Sequence, residues 1–209
     1  MRKRTLVFAA LGGVVAAVGA SNLYQRAATE TVPYTVVARL DDVELRRYPE
    51  STVVETTADS QPAAFRRLFR YIAGANTGET EIEMTAPVEM SAGGATIAMT
   101  APVEVGGANE NRMRFYLPEE YSTETAPQPT DDAVELVEMP ERTLAVRRFS
   151  WRPTEERIER EKTALLDRLD ESNVPVAGEP FFMGYDAPWT LPFLRRNEVA
   201  VEVESSVSN

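Results

Sequence analysis

Adjacent carboxylates are the residues of this 209-residue chain that could most directly perform acid–base chemistry. They occur as Asp41-Asp42, Glu119-Glu120 and Asp131-Asp132. Catalytic carboxylates work when one member donates a proton and the other accepts one across a substrate. These pairs stand instead in turn-like segments, two of them rich in Pro and Thr, which is typical of solvated loops. We therefore assign no catalytic residue and expect a protein that is not an enzyme.

The sequence contains neither Cys nor His. Their absence excludes disulfides, thiolate or imidazole metal sites, Cys nucleophiles and every catalytic triad that needs imidazole as its base. We therefore predict no metal-ligating residues. Nucleic acid is not expected as a partner, because the net charge is −11 and no basic stripe is present to neutralise phosphates.

The charge balance predicts a saline environment. The chain has 33 acidic and 22 basic residues, and only Lys3 and Lys162 among the bases are lysines. An acidic surface poor in Lys suits a protein kept soluble in concentrated salt, where the Debye length falls to about 3 Å at 1 M. The alternative is an acidic protein from a GC-rich genome.

The hexapeptide Met-Thr-Ala-Pro-Val-Glu occurs twice in the chain. Its two copies begin at Met84 and Met99, whose side chains are thioethers. In each copy the apolar residues fall on alternate positions, which is the period of a half-buried strand. A Gly-Gly turn between the copies would set Met84 opposite Val103 and Met99 opposite Val88, on one face of a hairpin. The two Met residues would then either fill the core or line a slot for a flat apolar ligand.

Two helices and several strands must position these residues. The first helix is predicted after Ser60, a plausible N-cap, and it ends at Gly74. The second is predicted from about Thr154 to near Asn173. The first helix carries apolar residues at helical spacing and arginines on its flanks: Phe65, Leu68, Phe69 and Ile72, with Arg66, Arg67 and Arg70.

The strand pattern indicates a doubled domain. β-forming residues surround an Asp-Asp turn at 41–42, and the sequence LAVRRF at 144–149 is similar to VELRRY at 43–48. Strand, turn, strand and helix thus occur twice. We interpret the domain as two related strand–helix halves that complete each other's sheet.

The N-terminal sequence predicts that the protein is exported from the cytoplasm. MRKR precedes a sixteen-residue apolar run from Thr5 to Ala20, the order of a signal peptide with a cleavage site near Ala20. An uncleaved anchor over residues 5–24 is the alternative, and basic residues at its start would place the domain outside the cytoplasm. We divide the chain into a leader (1–20), a tether (21–31), one domain (32–204) and a tail (205–209). Contact with a membrane is expected only through the leader.

Four ordered motifs carry a resemblance to a known family: YIAGAN, the doubled MTAPV, GYDAPW at 184–189 and RRNEVAVEV at 195–203. Together they resemble the SOUL/haem-binding protein family over about residues 34–203. The resemblance implies an α+β fold, a distorted β-barrel of about eight strands with two helices. It also implies non-catalytic binding of haem or another tetrapyrrole in an apolar cleft beside the first helix.

Carried onto this chain, the resemblance implies that Phe65, Phe69 and Arg66 or Arg70 face the cleft and that Tyr185 and Trp189 form its opposite rim. With the two hexapeptide methionines, the candidate binding residues are Phe65, Arg66, Phe69, Arg70, Met84, Met99, Tyr185 and Trp189.

One departure from the family bears on iron. Some members carry a His just before the Tyr of the ELRRY strand, where it is proposed to ligate haem iron; here that position is Arg47. Iron could then be ligated only by Met, Tyr, Lys or water, or the porphyrin could be held by burial and by Arg contacts to its propionates. The alternative functions are a small-molecule effector-binding module and an envelope protein that does not bind haem.

Overall fold

The structure, a computed structural model, describes residues 31–92, 111–186 and 190–204. The leader, nearly all of the tether, the second hexapeptide copy and the C-terminal tail lie outside the described residues. Within the described part, no helix has both the length and the apolar character needed to span a bilayer.

The described chain forms nine strands, two α-helices and a short 3-10 turn. In chain order these are β1 (Thr35–Leu40), β2 (Val43–Tyr48), β3 (Ser51–Ala58), α1 (Gln61–Ile72), β4 (Thr85–Ala92), β5 (Asn111–Tyr116), β6 (Val134–Met139), β7 (Arg142–Phe149), α2 (Glu155–Glu171), β8 (Phe181–Gly184), the 3-10 turn (Pro192–Leu194) and β9 (Asn197–Glu202).

All nine strands belong to one antiparallel sheet in the order β1-β2-β7-β9-β8-β4-β5-β3-β6. The predicted α+β class and the two helices are confirmed. The predicted barrel of about eight strands is not, since the described sheet has nine strands and its two end strands, β1 and β6, do not pair with each other.

Two related halves meet at the centre of this sheet. One half is β3-α1-β4-β5 and the other is β7-α2-β8-β9. Counted outward from the central β4–β8 pair, the strand order is β4-β5-β3 in the first half and β8-β9-β7 in the second. The predicted equivalence of segments 43–48 and 144–149 is wrong, because 144–149 lies in β7, which directly precedes α2, whereas 43–48 is β2, which does not directly precede α1. The strand that directly precedes α1, and so corresponds to β7, is β3.

Both helices cover the same face of the sheet. From α1, Leu68 and Tyr71 pack with Val54 of β3 and Phe115 of β5. The second helix packs Leu165 and Leu169 against apolar residues of β2, β7 and β9. Each helix thus buries one face against the sheet, and in α1 this face contains Leu68 and Ile72 but not Phe65 or Phe69.

The helix ends follow their local sequences. Ser60 has the extended backbone of an N-cap, and Gly74 has a φ of +100° directly after the C-cap, a conformation that suits glycine. Thr154 caps α2 through its side chain, and Asn173 follows the C-cap of this helix with a φ of +53°.

The sheet face turned away from the helices is also buried. Its apolar cluster includes Leu144, Met183 and Ala200, all at most 1% exposed. Several charged residues share this face, among them Glu89, Arg142 and Glu198. The central strands therefore have two buried faces, one apolar and one mixed.

β4 lies between β5 and β8. Val88 pairs with Phe115 of β5 on one side and with Gly184 of β8 on the other, and Met99, its predicted partner, lies outside the described residues. The register shifts between Thr85 and Val88, beside Pro87, which has no N–H to donate to the ladder. Alternate side chains of β4 point to opposite faces of the sheet. Both faces are buried here, because β4 lies in the middle of the sheet.

Candidate ligand-binding groove on helix α1

Two phenylalanines project from α1 toward solvent. Phe65 and Phe69 are 37% and 48% exposed, although the helix already buries a separate apolar stripe. Their spacing of four residues puts them on one face, and their rings stack with centroids 6.0 Å apart and planes 15° apart. Phe65 also meets Phe115 of β5 edge-on at 5.3 Å, which connects the exposed pair to the core.

A groove of about 540 Å³ runs along this face of α1. All of its described lining residues belong to α1, so the groove is an open face of this helix. Its described lining contains aromatic and cationic residues and no carboxylate: Ala63, Phe65, Arg66, Arg67, Phe69 and Arg70.

The three arginines of the groove differ in their partners. Arg67 donates to Thr56 Oγ1 at 3.1 Å and lies 3.5 Å from Asp131, so it is committed to the protein. Arg70 is 67% exposed and also reaches Asp131, at 3.3 Å. Arg66 donates to the backbone oxygen of Pro62 and has no carboxylate partner among the described residues. Arg66 is therefore the cation most available to an anionic ligand.

The predicted methionines are placed only in part. Met84 precedes β4, is half-buried and packs against the cluster beneath α1, together with Val88 and Met90. It is close to the helix, but it is not in the described lining of the groove. Met99 lies outside the described residues, and so does Trp189.

Tyr185 is not brought to this groove. Its hydroxyl donates to Glu198 Oε2 at 2.7 Å, and the Arg196 guanidinium lies 3.8 Å from the centre of its ring. Burial, followed by the negative charge of Glu198, raises the pKa of Tyr185 well above its ordinary value. Tyr185 packs with the cluster on the sheet face turned away from α1, so its expected place opposite Phe65 and Phe69 is wrong.

Glu198 is the centre of a buried charge cluster. It is fully buried, and it accepts from Arg46 at 2.8 Å and from Arg196 at 2.9 Å as well as from Tyr185. The Arg196–Glu198 pair lies within the RRNEV segment at the start of the closing strand, β9. Burial alone lowers the pKa of Arg46, but its hydrogen bond and charge interaction with Glu198 outweigh burial and raise it.

Glu89 forms the centre of a second buried cluster, which sequence reasoning missed. Its carboxylate accepts from Arg114 at 2.8 Å, from Arg142 at 2.8 Å and from the hydroxyl of Tyr116 at 3.1 Å. The sequence contains only an indirect signal for it. Arginines inside strand-like segments need acidic partners, but the alternation of polar and apolar residues does not show whether those partners are buried or exposed. These clusters fill much of the face opposite the helices with satisfied charges.

Arg47 lies away from the groove. It is on β2, whose buried residues Val43 and Leu45 pack beneath α2, and it is 54% exposed near Glu141. The position at which some family members carry His therefore lies in the part of the sheet that α2 covers, away from the groove on α1.

The described residues form a nine-stranded antiparallel sheet with two helices on one face, and the candidate site is an aromatic and cationic groove on the first helix. The chain belongs to the SOUL heme-binding protein family, whose model matches residues 29–202. No curated protein matches the sequence.

Solved structures share the fold at low identity. The crystal structure of the EcmrR C-terminal domain is 13% identical with a TM-score of 0.53, covering 82% of this chain and 98% of that one. A hydrolase encoded by lin2189 from Listeria innocua is 9% identical with a TM-score of 0.54, covering 78% of this chain and 92% of that one. At these identities the likeness concerns the fold alone.

Proposed function

We propose that this protein binds haem or a related tetrapyrrole without catalysis, in the groove of α1, to sequester or carry it. Family membership supports the ligand class. The observation that carries the proposal is the stacked and exposed pair Phe65–Phe69 beside Arg66, the arginine without a carboxylate partner among the described residues.

The apolar part of the affinity would come from the two phenylalanines. Both rings are already held in a stack, so a flat macrocycle can cover them at little cost in side-chain entropy. Burying apolar surface contributes about 25 cal/mol per Å². A large planar ligand therefore gains more from this face than a small one.

The propionates of a porphyrin would meet arginines. Arg66 and Arg70 stand four residues apart on the solvent side of α1 and both line the groove. Guanidinium groups suit carboxylates because they bind them through two parallel N–H donors. Arg66 is the stronger candidate, since Arg70 already shares Asp131 with Arg67.

No described residue that lines the groove is a usual iron ligand. The lining contains Ala, Phe and Arg, and the whole chain has no His or Cys. When bound, haem would supply its iron chemistry itself, and the protein would supply apolar contact and charge. The proposal therefore requires that the macrocycle and its propionates, rather than the metal, determine affinity.

Parallel titrations test this function. Purified protein is titrated with hemin, followed by its Soret band, and with metal-free protoporphyrin IX, followed by its fluorescence. We expect saturable one-site binding of both, with dissociation constants within about threefold of each other. Hemin binding at least about a hundredfold tighter would reveal an iron ligand that this site lacks, and a linear, unsaturable response to both would overturn the proposal.

A second candidate is a module that binds another amphipathic small molecule. The likeness of fold to the C-terminal domain of EcmrR, a protein also known in complex with DNA, favours it at the level of fold. Mass spectrometry of purified protein distinguishes the two, because a co-purified ligand other than a porphyrin would support this candidate.

The proposed place of action is outside the cytoplasm. The basic start and the apolar run from Thr5 to Ala20 support export, by cleavage near Ala20 or by anchoring through residues 5–24. N-terminal sequencing of mature protein from fractionated cells tests both forms, and recovery of full-length chain in the cytoplasm alone would overturn export.

A further inference from the structure

Two large aromatic side chains outside the α1 groove are exposed to solvent. Trp151 follows β7 and is 53% exposed, and Phe193 lies in the 3-10 turn before β9 and is 55% exposed. The backbone N–H of Trp151 donates to the carbonyl oxygen of Pro192 at 2.9 Å, so the two aromatic residues belong to neighbouring segments. We name these two residues, together with the exposed Arg148 and Arg152, the aromatic patch.

The backbone holds Trp151 in its exposed position. Its φ of +80° is one that bulky L-residues rarely adopt, because the side chain then crowds the backbone. Two hydrogen bonds keep this conformation: the one to Pro192, and one from the side chain of the buried Asn197 to the carbonyl oxygen of Trp151 at 2.7 Å. Strained backbone is retained mostly where the surrounding structure fixes it at a functional site. The exposure of this indole is therefore a fixed feature of the fold.

The aromatic patch lies at the end of the sheet where the described chain enters it. One row of paired residues crosses four neighbouring strands near this end: Phe149, Asn197, Gly184 and Val88. Trp151 follows the β7 member of this row by two residues, and Ala86 precedes the β4 member by two. Because neighbouring strands are antiparallel, both residues lie beyond the row at the same end. Thr31 forms a parallel bridge with Ala86, so the chain runs into the sheet from this end, which we name the entry end.

This position favours a membrane surface as the partner of the patch. In the anchored form of the proposed export, residues 5–24 would lie in the bilayer, and seven peptide steps would join Tyr24 to Thr31. At about 3.5 Å per residue, these steps span at most about 25 Å. The anchor would therefore hold the entry end close to the bilayer, with the aromatic patch on it.

The residue types of the patch suit the headgroup region of a bilayer. Trp is enriched in that region because its ring is apolar while its indole N–H can still meet polar groups. Arg148 and Arg152 flank Trp151 in the chain and form no ion pair or side-chain hydrogen bond with another described residue. Both guanidinium groups can therefore donate to lipid phosphates.

The charges near the patch allow this contact. The two acids of the β1–β2 turn, Asp41 and Asp42, are already paired with Arg168 and Arg147. Exposed acids next to the patch occur at the start of α2, at positions 155 and 156. The net charge of −11 makes an anionic membrane repel most of the surface, which favours contact through the few unpaired cations of the patch.

We propose that the aromatic patch docks the domain onto a lipid bilayer, with the rings of Trp151 and Phe193 in the headgroup region and with Arg148 and Arg152 against lipid phosphates. This inference rests on the anchored form of the proposed export, and it adds a second membrane contact to the one through the leader. It does not depend on tetrapyrrole binding.

Quenching of tryptophan fluorescence by brominated lipid tests the contact. Trp189→Phe leaves Trp151 as the only tryptophan of the full chain. This variant is reconstituted with vesicles of phosphatidylcholine and about 20% phosphatidylglycerol, with or without bromine in the acyl chains next to the headgroup. Interfacial side chains reach about 5–10 Å into this boundary, so emission should be at least about twofold lower with bromine than without it.

A reporter at the opposite end of the sheet is the matched control. Val176 is 40% exposed and bridges to Val203, which lies about 20 Å along β9 from Asn197. In a chain that combines Trp151→Phe, Trp189→Phe and Val176→Trp, the same leader holds the domain on the same vesicles, but bromine should not change the emission. Equal quenching of the two reporters, or no quenching of Trp151, would overturn the proposal.

Further substitutions in the Trp189→Phe chain identify the contact residues. Phe193→Ser, and Arg148→Gln with Arg152→Gln, should each reduce the quenching by about half, with circular dichroism unchanged. Arg47→Gln with Arg112→Gln is the control for charge, because both of these arginines are more than half exposed and lie toward the opposite end of the sheet. An equal loss of quenching in this control would mean general attraction to the lipid and would overturn a defined patch.

Flotation of the vesicles separates this inference from the anchor on which it rests. A chain that floats with the vesicles while Trp151 remains unquenched would keep the anchor and overturn the docking. A chain that does not float would overturn both. The test of export in fractionated cells does not use quenching, so export and docking can fail separately.

Discussion

Arg142 Nη2 lies 2.8 Å from Glu89 Oε2, although 53 residues separate the two in the chain. Both side chains are buried, and the charge of Glu89 raises the pKa of Arg142 against the opposing effect of burial. Because β7 and β4 belong to different halves of the domain, this pair joins the halves across the face opposite the helices. One face of the sheet is thus covered by the two helices, and the other holds buried ion pairs together with an apolar cluster.

Glu89→Gln is expected to lower the free energy of unfolding by about 3–5 kcal/mol. The substitution keeps the shape of the side chain but leaves the Arg142 guanidinium buried without a counter-charge and leaves Arg114 with Glu55 alone. Urea denaturation followed by circular dichroism measures the change. Glu159→Gln is the control, because its pair with Lys162 involves a carboxylate that is 62% exposed and should cost less than about 1 kcal/mol. Equal losses in the two variants would contradict the role of the buried cluster.

Phe69→Asp is expected to abolish porphyrin binding and leave the fold intact. Phe69 is 48% exposed, so an aspartate there meets solvent, whereas a flat ligand would meet a charge in place of an aromatic ring. Hemin titration should show at least about a tenfold loss of affinity, and circular dichroism should be unchanged. Phe193→Asp, at a residue 55% exposed outside the groove, should retain hemin binding. Loss of structure in Phe69→Asp would instead place Phe69 in the core.

Arg66→Gln should weaken hemin binding more than Arg70→Gln does. Arg66 has no carboxylate partner in the described chain, while Arg70 would have to leave Asp131 or share it. A second ligand, mesoporphyrin dimethyl ester, tests the contact between Arg66 and a propionate, because this ester lacks free propionates. Wild type and Arg66→Gln should bind it equally. A larger effect of Arg70→Gln on hemin, or an effect of Arg66→Gln on the ester, would contradict the assignment.

The sequence could predict the parts of the fold that local chemistry determines. Ser60 and Gly74 bound α1, Thr154 caps α2, and the Asp41-Asp42 turn joins β1 to β2, as their residue types indicate. Each of these features depends on contacts within a few residues. The exposed face of α1 with its arginines was also within reach, through the family resemblance.

The strand partners could not be predicted in the same way. Period-two alternation in β4 reports that its two faces differ, but it does not report which strands lie beside it. Its neighbours in the described sheet are β5 and β8, which follow it at different distances along the chain. The same limit hid the clusters around Glu89 and Glu198, since their partners come from other strands and are brought close only by the sheet order. Tyr185 was misplaced for this reason as well.

Stability should be insensitive to pH near neutrality and should fall in alkali. The chain has no His or Cys to titrate between about pH 6 and 9. Burial, with a smaller contribution from Tyr121, raises the pKa of Tyr71 to about 12, and its hydroxyl donates to the backbone oxygen of Pro127 at 2.8 Å. The folded state then binds this proton more tightly than the unfolded state does. The contribution of Tyr71 to the free energy of unfolding is therefore complete below about pH 10 and is lost as the pH rises toward 12.

Tyr71→Phe tests this alkaline loss. The variant lacks the proton that the folded state retains, so its free energy of unfolding should fall less steeply between about pH 10 and 12, by at most about 1.4 kcal/mol per pH unit. Urea denaturation at several pH values measures the slope. The variant should also be less stable at neutral pH by about 1 kcal/mol, because the hydrogen bond to Pro127 is lost. Parallel pH profiles for the two proteins would assign the alkaline transition to other tyrosines.

Salt should stabilise this protein, because two opposing effects differ in size. Exposed ion pairs such as Arg39–Glu44 weaken when salt screens them, but each is worth less than about 1 kcal/mol. The repulsion among eleven surplus negative charges is screened at the same time, as the Debye length falls from about 10 Å at 0.1 M to about 3 Å at 1 M. The buried pairs around Glu89 and Glu198 are shielded from solvent and should change little.

The midpoint of thermal unfolding should therefore rise with KCl concentration, and it should rise less in a variant that combines Glu119→Gln, Glu120→Gln, Glu155→Gln and Glu156→Gln. An unchanged or falling midpoint would show that the surface pairs outweigh the net repulsion and would remove the physical basis for a salt-adapted surface.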